Sequence, residues 1–102
     1  MFRLFIFSLP IIIIAEPNIL WFKEFNGTGE ESIGHYVLNC DDNGFLQVGE
    51  TYDYSNSSSK IFIVKIDSNG ELIWSREIHD GEHNLGNSAI ELNDGYLISG
   101  SL

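Results

Sequence analysis

Residues 43–49 read Asn-Gly-Phe-Leu-Gln-Val-Gly, and residues 94–100 read Asp-Gly-Tyr-Leu-Ile-Ser-Gly. Each stretch begins with a turn signal, continues through a short apolar run and ends in glycine. Two further matches lie upstream of this pair, residues 29–34 with 81–86 and residues 21–25 with 74–78. Matches that combine turn glycines with strand aromatics indicate an internal repeat, with a period of roughly fifty residues.

Strand periods run through the repeat. Short runs rich in β-branched and aromatic residues predict strands at residues 33–40, 45–51, 61–66 and 72–78. The turns between them, Asp-Asp-Asn-Gly at 41–44 and Asp-Ser-Asn-Gly at 67–70, contain Asn-Gly, which supplies the positive φ of tight hairpins. Residues 53–59 are polar and predict a loop. Because no helical period is sustained after Ala15, the predicted class is all-β.

A four-stranded antiparallel meander of this length is the unit of a β-propeller, one blade. Residues 16–102 would then form a partial propeller of about one and a half repeats. It would comprise the last strand of a preceding blade at 19–25, a full blade at 33–78 and a partial blade at 86–101. We therefore expect the chain to be the N-terminal fragment of a longer protein, or a remnant that associates with other copies.

Four motifs carry a family resemblance. They are Trp-x-x-x-Phe at 21–25, Gly-Glu-Glu-Ser-x-Gly at 29–34, Asn-Gly-Phe-Leu-x-x-Gly-Glu-Thr at 43–51, and Phe-Ile-Val-Lys-Ile-Asp-Ser-Asn-Gly-Glu-Leu-Ile-Trp at 62–74. These motifs resemble the repeats of secreted bacterial and archaeal β-propellers of the quinoprotein-like superfamily. The resemblance implies that Trp21 and Trp74 are wedged between adjacent sheets. It implies structural roles for Trp21, Gly34, Gly44, Gly49, Asp67, Gly70, Trp74, Gly86, Gly95 and Gly100.

The N-terminus has the three parts of a secretory signal peptide. Arg3 supplies a positive charge, residues 4–14 are almost entirely apolar, and Ala15 precedes Glu16-Pro17. The apolar run is shorter than the ~20 residues that a membrane-spanning helix needs. We predict a signal peptide at residues 1–15 and a secreted, periplasmic or cell-surface protein that leaves the membrane after cleavage. An uncleaved anchor and a buried strand remain the alternatives.

Composition limits the partners. The chain has 102 residues, with 15 acidic and 5 basic side chains and a formal net charge of −10, which would repel nucleic acid. Its single cysteine, Cys40, excludes a disulfide within the chain. Cys40 lies in an alternating apolar stretch, so we expect it to be buried, with pairing to another chain as the alternative.

Two sequence strings have the spacing of metal sites. His79-Asp-Gly-Glu-His83 matches the H-x-x-E-H pattern of zinc peptidases, which requires both histidines on one helical face. Gly81 and the position after a strand predict an exposed loop instead. Asp41, Asn43 and Glu50 follow a Ca²⁺-loop spacing, but they are weak candidates because a hairpin turn accounts for the same residues.

These observations predict a non-catalytic extracytoplasmic module with a binding or scaffold role and no cofactor. The alternative is a fragment of a metal- or quinone-dependent propeller enzyme, whose pocket would need ligands from many blades. The expected partners are other blades or a second copy, docked through apolar blade faces and an open strand edge.

Overall fold

Antiparallel strands make up the regular structure. The computed structural model describes residues 3–6, 12–15 and 21–101. Its strands are β1 (Arg3–Ile6), β2 (Ile12–Ala15), β3 (Glu31–Asn39), β4 (Phe45–Asp53), β5 (Ser58–Ile66), β6 (Leu72–Ile78), β7 (Leu85–Leu92) and β8 (Gly95–Ser101). Sequential neighbours pair into three sheets, β1-β2, β3-β4-β5-β6 and β7-β8. The described residues contain no helix, and thus none able to span a bilayer. The all-β prediction is confirmed.

The four-stranded sheet is apolar on both sides, as the alternation in β5 predicts. Phe62, Val64 and Ile66 form a buried cluster on the side that we call the front face, together with Phe25 and Phe45. On the opposite side, the back face, Ile61 and Ile63 join the main core cluster. A sheet with two apolar faces is stable only when something covers each of them.

The β7-β8 hairpin covers the back face. Leu46 and Val48 of β4 are fully buried beneath it, and Ala89 of β7 is only 2% exposed. Tyr96 and Ile98 of β8 pack around this core, as do Leu38 and Trp74 of the sheet. Burying one such aliphatic side chain contributes about 1.5–3 kcal/mol, so this contact holds the two sheets together.

The β3-β4 and β7-β8 hairpins share one irregularity. Gly34 pairs with Gly49, Gly86 pairs with Gly100, and in each hairpin the register shifts immediately after the first glycine. A Cβ added at Gly49 would lie 1.9 Å from a carbonyl oxygen of β3, and one at Gly100 would lie 2.1 Å from the equivalent oxygen of β7. The close backbone approach explains why glycine occupies both positions.

The predicted strand at 19–25 and the predicted loop at 53–59 differ from the structure. Residues 21–25 are not a strand, and residues 19–20 of that prediction lie outside the described residues. This segment lies against the front face through the side chains of Phe25 and Trp21, which contact the front-face cluster and Phe45. The predicted loop at 53–59 is also shorter, since Asp53 and Ser58 pair as the last rung of the β4-β5 ladder.

The predicted signal peptide overlaps the first hairpin. β1 and β2 pair from Arg3 with Ala15 to Ile6 with Ile12. The other residues of the predicted leader lie outside the described residues. Whether the leader directs export and is removed stays a prediction.

Candidate functional site

The candidate Ca²⁺ ligands lie in different parts of the β3-β4 hairpin. Asp41 and Asn43 are in the turn, where Asn43 has a positive φ of 67° and Cys40 N donates to Gly44 O at 2.9 Å. Glu50 lies farther along β4, about 16 Å from the start of the strand at 3.3 Å per residue. The structure therefore does not bring the three together. In the part of the chain that the structure describes, no three acidic, His or Cys side chains form a metal-binding group.

The two histidines of the zinc-like string lie in the loop between β6 and β7. His79 and His83 are exposed, and Gly81 between them has φ of 106°. The segment is not helical, so the histidines do not share the helical face that zinc chelation in this pattern needs. The loop prediction is confirmed.

Asn84 fastens this loop to β5. Its side chain is fully buried, and its Nδ2 donates to Ser59 O at 2.8 Å while its Oδ1 accepts from Asp80 N at 3.0 Å. Its backbone N donates to Ser59 Oγ at 2.9 Å, and the same Oγ donates back to Asn84 O. Every polar group of the side chain is thereby satisfied, which is the condition for burying it.

Lys65 of β5 is a buried cation. It is 3% exposed, and its Nζ lies 2.8 Å and 3.0 Å from the two carboxylate oxygens of Asp42. The contact ties the β3-β4 turn to the adjacent strand. The hydrogen bond from Lys65, helped by one from Gly44 N, holds the pKa of Asp42 below its ordinary value.

We expect this contact to contribute to acid sensitivity. The pKa of Asp42 is lowered by folding, so its contribution is present above the unfolded value of 3.8 and is lost as the pH falls through the folded value. Asp42→Asn should destabilise the protein at pH 7, because Lys65 stays buried without a counter-charge. The variant should also lose stability less steeply below pH 4 in urea unfolding. Asp41→Asn, one residue away and exposed, is the control, and equal acid limbs in the wild type and Asp42→Asn would contradict the expectation.

Cys40 and Tyr96 meet between the two sheets. Cys40 is 5% exposed and has a free thiol, so its predicted burial is confirmed. Burial raises the pKa of the Cys40 thiol, while burial and a hydrogen bond with that thiol raise the pKa of Tyr96 to about 12. Both groups are neutral at pH 7, and the thiol has none of the thiolate character that a nucleophile or metal ligand needs.

One aromatic contact occurs twice, each time between a tryptophan and the next hairpin. Trp74 of β6 lies against Tyr96 of β8, with ring centroids 6.3 Å apart and an interplanar angle of 56°. Trp21 lies against Phe45 of β4 at 6.4 Å and 60°. In the sequence alignment Trp21 matches Trp74, and Phe45 matches Tyr96. The same contact therefore recurs at equivalent positions.

Trp21 also covers the turn after β5. Gly70 has φ of 84°, and a Cβ there would lie 2.7 Å from the Trp21 ring. Asp67 shapes this turn, because its Oδ1 accepts from Asn69 N at 2.8 Å and from Glu71 N at 3.0 Å. Asp67, Gly70 and Trp21 thus meet at one place.

Two exposed apolar surfaces stand out among residues 21–101. The first is a groove of about 380 Å³ on the front face, lined by the apolar residues Trp21, Phe25, Val37, Phe45 and Ile66 together with Lys23 and Gln47. The second is the outer side of the β7-β8 hairpin, which we call the outer hairpin face. Its residues Ile90, Leu92 and Leu97 are 52%, 48% and 58% exposed.

A small polar pocket lies at the end of the sheet where β4 meets β5. Its volume is about 90 Å³, and its lining includes Thr28, Thr51, Asp53, Asn56, Ser58 and Lys60. Sites for small organic ligands usually enclose ~300–1,000 Å³, so this pocket has room only for water or a small ion. Neighbouring polar groups already bond to one another, as Thr28 N and Lys60 Nζ do with Glu77.

Neither the buried Asn84 nor the Lys65–Asp42 pair was predicted from the sequence. The alignment of residues 29–34 with 81–86 could have indicated the first, because it matches the polar residues Ser32 and Asn84. In the structure, Gly27 N donates to Ser32 Oγ as Asp80 N donates to Asn84 Oδ1. The second gives no signal in spacing, since a lysine in a strand is usually exposed.

No protein-family model, curated protein or solved structure matches this chain.

Proposed function

We propose that this chain is a non-catalytic, extracytoplasmic β-propeller repeat module that acts as a binding or scaffold element. The observation that carries the proposal is the tryptophan contact made twice with the same geometry, Trp21 on Phe45 and Trp74 on Tyr96. Propellers are built by stacking each blade on the next, and such a contact is what stacking by one repeated operation requires.

The distribution of polar groups supports a structural role over a catalytic one. The buried polar residues Asn84, Lys65 and Ser59 bond within the protein and direct no free group into a cavity. The exposed surfaces that stand out are instead apolar and belong to sheet faces. Repeat units bury such exposed apolar faces against neighbouring units.

Trp74→Ala tests the stacking. We expect it to lower the free energy of unfolding by about 2 kcal/mol, because a half-buried indole is lost from the contact between sheets. A double-mutant cycle with Tyr96→Ala should give a coupling of about 1 kcal/mol, and the Trp21–Phe45 cycle should match it. Tyr54→Ala, which breaks the Tyr52–Tyr54 contact outside both stacks, is the control. Absent coupling in both tryptophan pairs would contradict the proposal.

Export is tested separately. When the chain is expressed with its leader, we expect the product outside the cytoplasm to begin at Glu16, because Arg3, the apolar run and Ala15 have the order of a cleavable signal. Intact-mass measurement of the exported fraction checks the cleavage position. Arg3→Glu is the matched variant and should reduce export, whereas a soluble cytoplasmic product that retains Met1 would contradict the extracytoplasmic assignment.

A further inference from the structure

We infer that copies of this chain associate head to tail, with the outer hairpin face of one copy on the front face of the next. The inference rests on the proposed function, because it applies the stacking of sheet on hairpin a second time, between chains. In the first stacking, back-face residues Leu38 and Leu46 pack against Ala89, Tyr96 and Ile98 of the hairpin.

Equivalent residues differ sharply in exposure, according to whether a neighbour covers them. Counted from the shared glycine pair, Val37 is equivalent to Ala89, and Leu46 is equivalent to Leu97. Ala89 is 2% exposed but Val37 is 63% exposed, while Leu46 is fully buried but Leu97 is 58% exposed. The counterparts of the exposed Val37 and Leu97 are Ala89 and Leu46, which lie in one buried cluster between the sheet and the hairpin.

Those two exposed surfaces are complementary. Residues of the front face are equivalent to the hairpin residues that dock on the back face. Residues of the outer hairpin face are equivalent to the back-face residues on which the hairpin docks. The chain therefore has one bare copy of each half of a contact that it already makes internally. A second copy supplies each missing half, with Ile90 and Leu97 against Val37 and Phe45. Complete burial of an aliphatic side chain is favourable, which gives the association its driving force.

The second backbone edge of β8 has no partner strand among residues 21–101. Among residues 21–101, β8 pairs with β7 alone, and residues 21–25 form no strand. β8 carries no charge and no proline, the features that usually protect a sheet edge. In the four-stranded sheet the equivalent strand β4 is followed by β5, so a neighbour's chain has room to pair with this edge of β8.

The contact joins two different surfaces, so association does not end at a dimer. It continues until a ring closes or a filament forms. Each chain has a formal net charge of −10, so copies repel one another at low ionic strength. We therefore expect association to strengthen when salt screens this repulsion.

Sedimentation velocity on the purified chain in low and moderate salt tests the inference, together with two charge variants. Leu97→Lys disables the outer hairpin face, and Val37→Lys disables the front face. Both side chains are exposed, so each variant should fold with the far-UV circular dichroism of the wild type. We expect each variant to be monomeric, with association at least tenfold weaker than in the wild type. Tyr54→Lys, 57% exposed in the turn between β4 and β5 and in neither surface, should associate like the wild type.

An equimolar mixture of the two variants distinguishes head-to-tail from symmetric association. Each variant retains one intact surface, so the mixture should form a heterodimer and stop there. A wild type that stays monomeric in both salts, variants that associate like the wild type, or a mixture that stays monomeric would each overturn the inference. The proposed function is judged by the Trp74–Tyr96 coupling within one chain, so it can survive when head-to-tail association fails.

Discussion

Gly49→Ala is expected to destabilise the protein by about 3 kcal/mol or more, at the upper end of what overpacking costs. The added Cβ would lie 1.9 Å from Ile33 O and 2.8 Å from Gly34 Cα, which are both backbone atoms of β3. A backbone atom cannot rotate aside, so β3 and β4 would have to separate at the register shift. Chemical denaturation monitored by circular dichroism measures the loss.

Gly34, the cross-strand partner of Gly49, provides the matched control. A Cβ at Gly34 would lie 1.8 Å from Gln47 Nε2, which is the far end of an exposed and flexible side chain. Gln47 can swing into solvent, so we expect Gly34→Ala to cost less than about 1 kcal/mol. Similar losses in the two variants would show that the close approach across this pair is not what requires glycine.

Asn84→Leu is expected to cost about 3 kcal/mol, because the new side chain preserves volume but leaves buried polar groups unpaired. Ser59 O would lose the hydrogen bond from Nδ2, and Asp80 N would lose its acceptor Oδ1. The loop between β6 and β7 should then detach from β5 before the sheets separate. Hydrogen exchange should show faster exchange at residues 79–84 and at Ser59 than in the wild type.

His83→Ala, in the neighbouring exposed position, is the control for Asn84→Leu. We expect it to change stability by no more than ~0.5 kcal/mol, as for most surface substitutions. The same variant tests the exposed-loop interpretation of the zinc-like string. Stoichiometric Zn²⁺ in the purified protein that is lost in His83→Ala would contradict that interpretation. An Asn84→Leu variant as stable as His83→Ala would show that the buried hydrogen bonds do not hold the loop.

The local elements of the fold could be predicted because their causes are local. Strand β6 matches its predicted bounds, and β3, β4 and β5 differ from theirs only at their ends. Alternation in β5 placed Phe62, Val64 and Ile66 on one face, and they share one cluster. These features follow from the period of two in an extended backbone and from the turn preferences of Asn and Gly.

Contacts between distant segments could not be predicted in the same way. Ser59 was assigned to a polar loop, yet it is buried because Asn84, far along the chain, supplies its hydrogen bonds. Residues 21–25 have the composition of a strand, but strand formation needs a partner whose presence the segment cannot encode. Lys65 of β5 is buried because Asp42 in the β3-β4 turn neutralises its charge. In each case the deciding interaction is with a group remote in sequence.

The exposed apolar surfaces also depend partly on local sequence and partly on contacts between distant segments. Periodicity alone predicts that the chain is all-β and that the central strand is apolar on both sides, because these features depend on residues a few positions apart. Only the tertiary structure decides which apolar face is covered, since Val37 and Ala89 occupy equivalent positions and differ from 63% to 2% in exposure. Burial is a property of what packs against a residue, and the packing neighbour comes from another part of the chain.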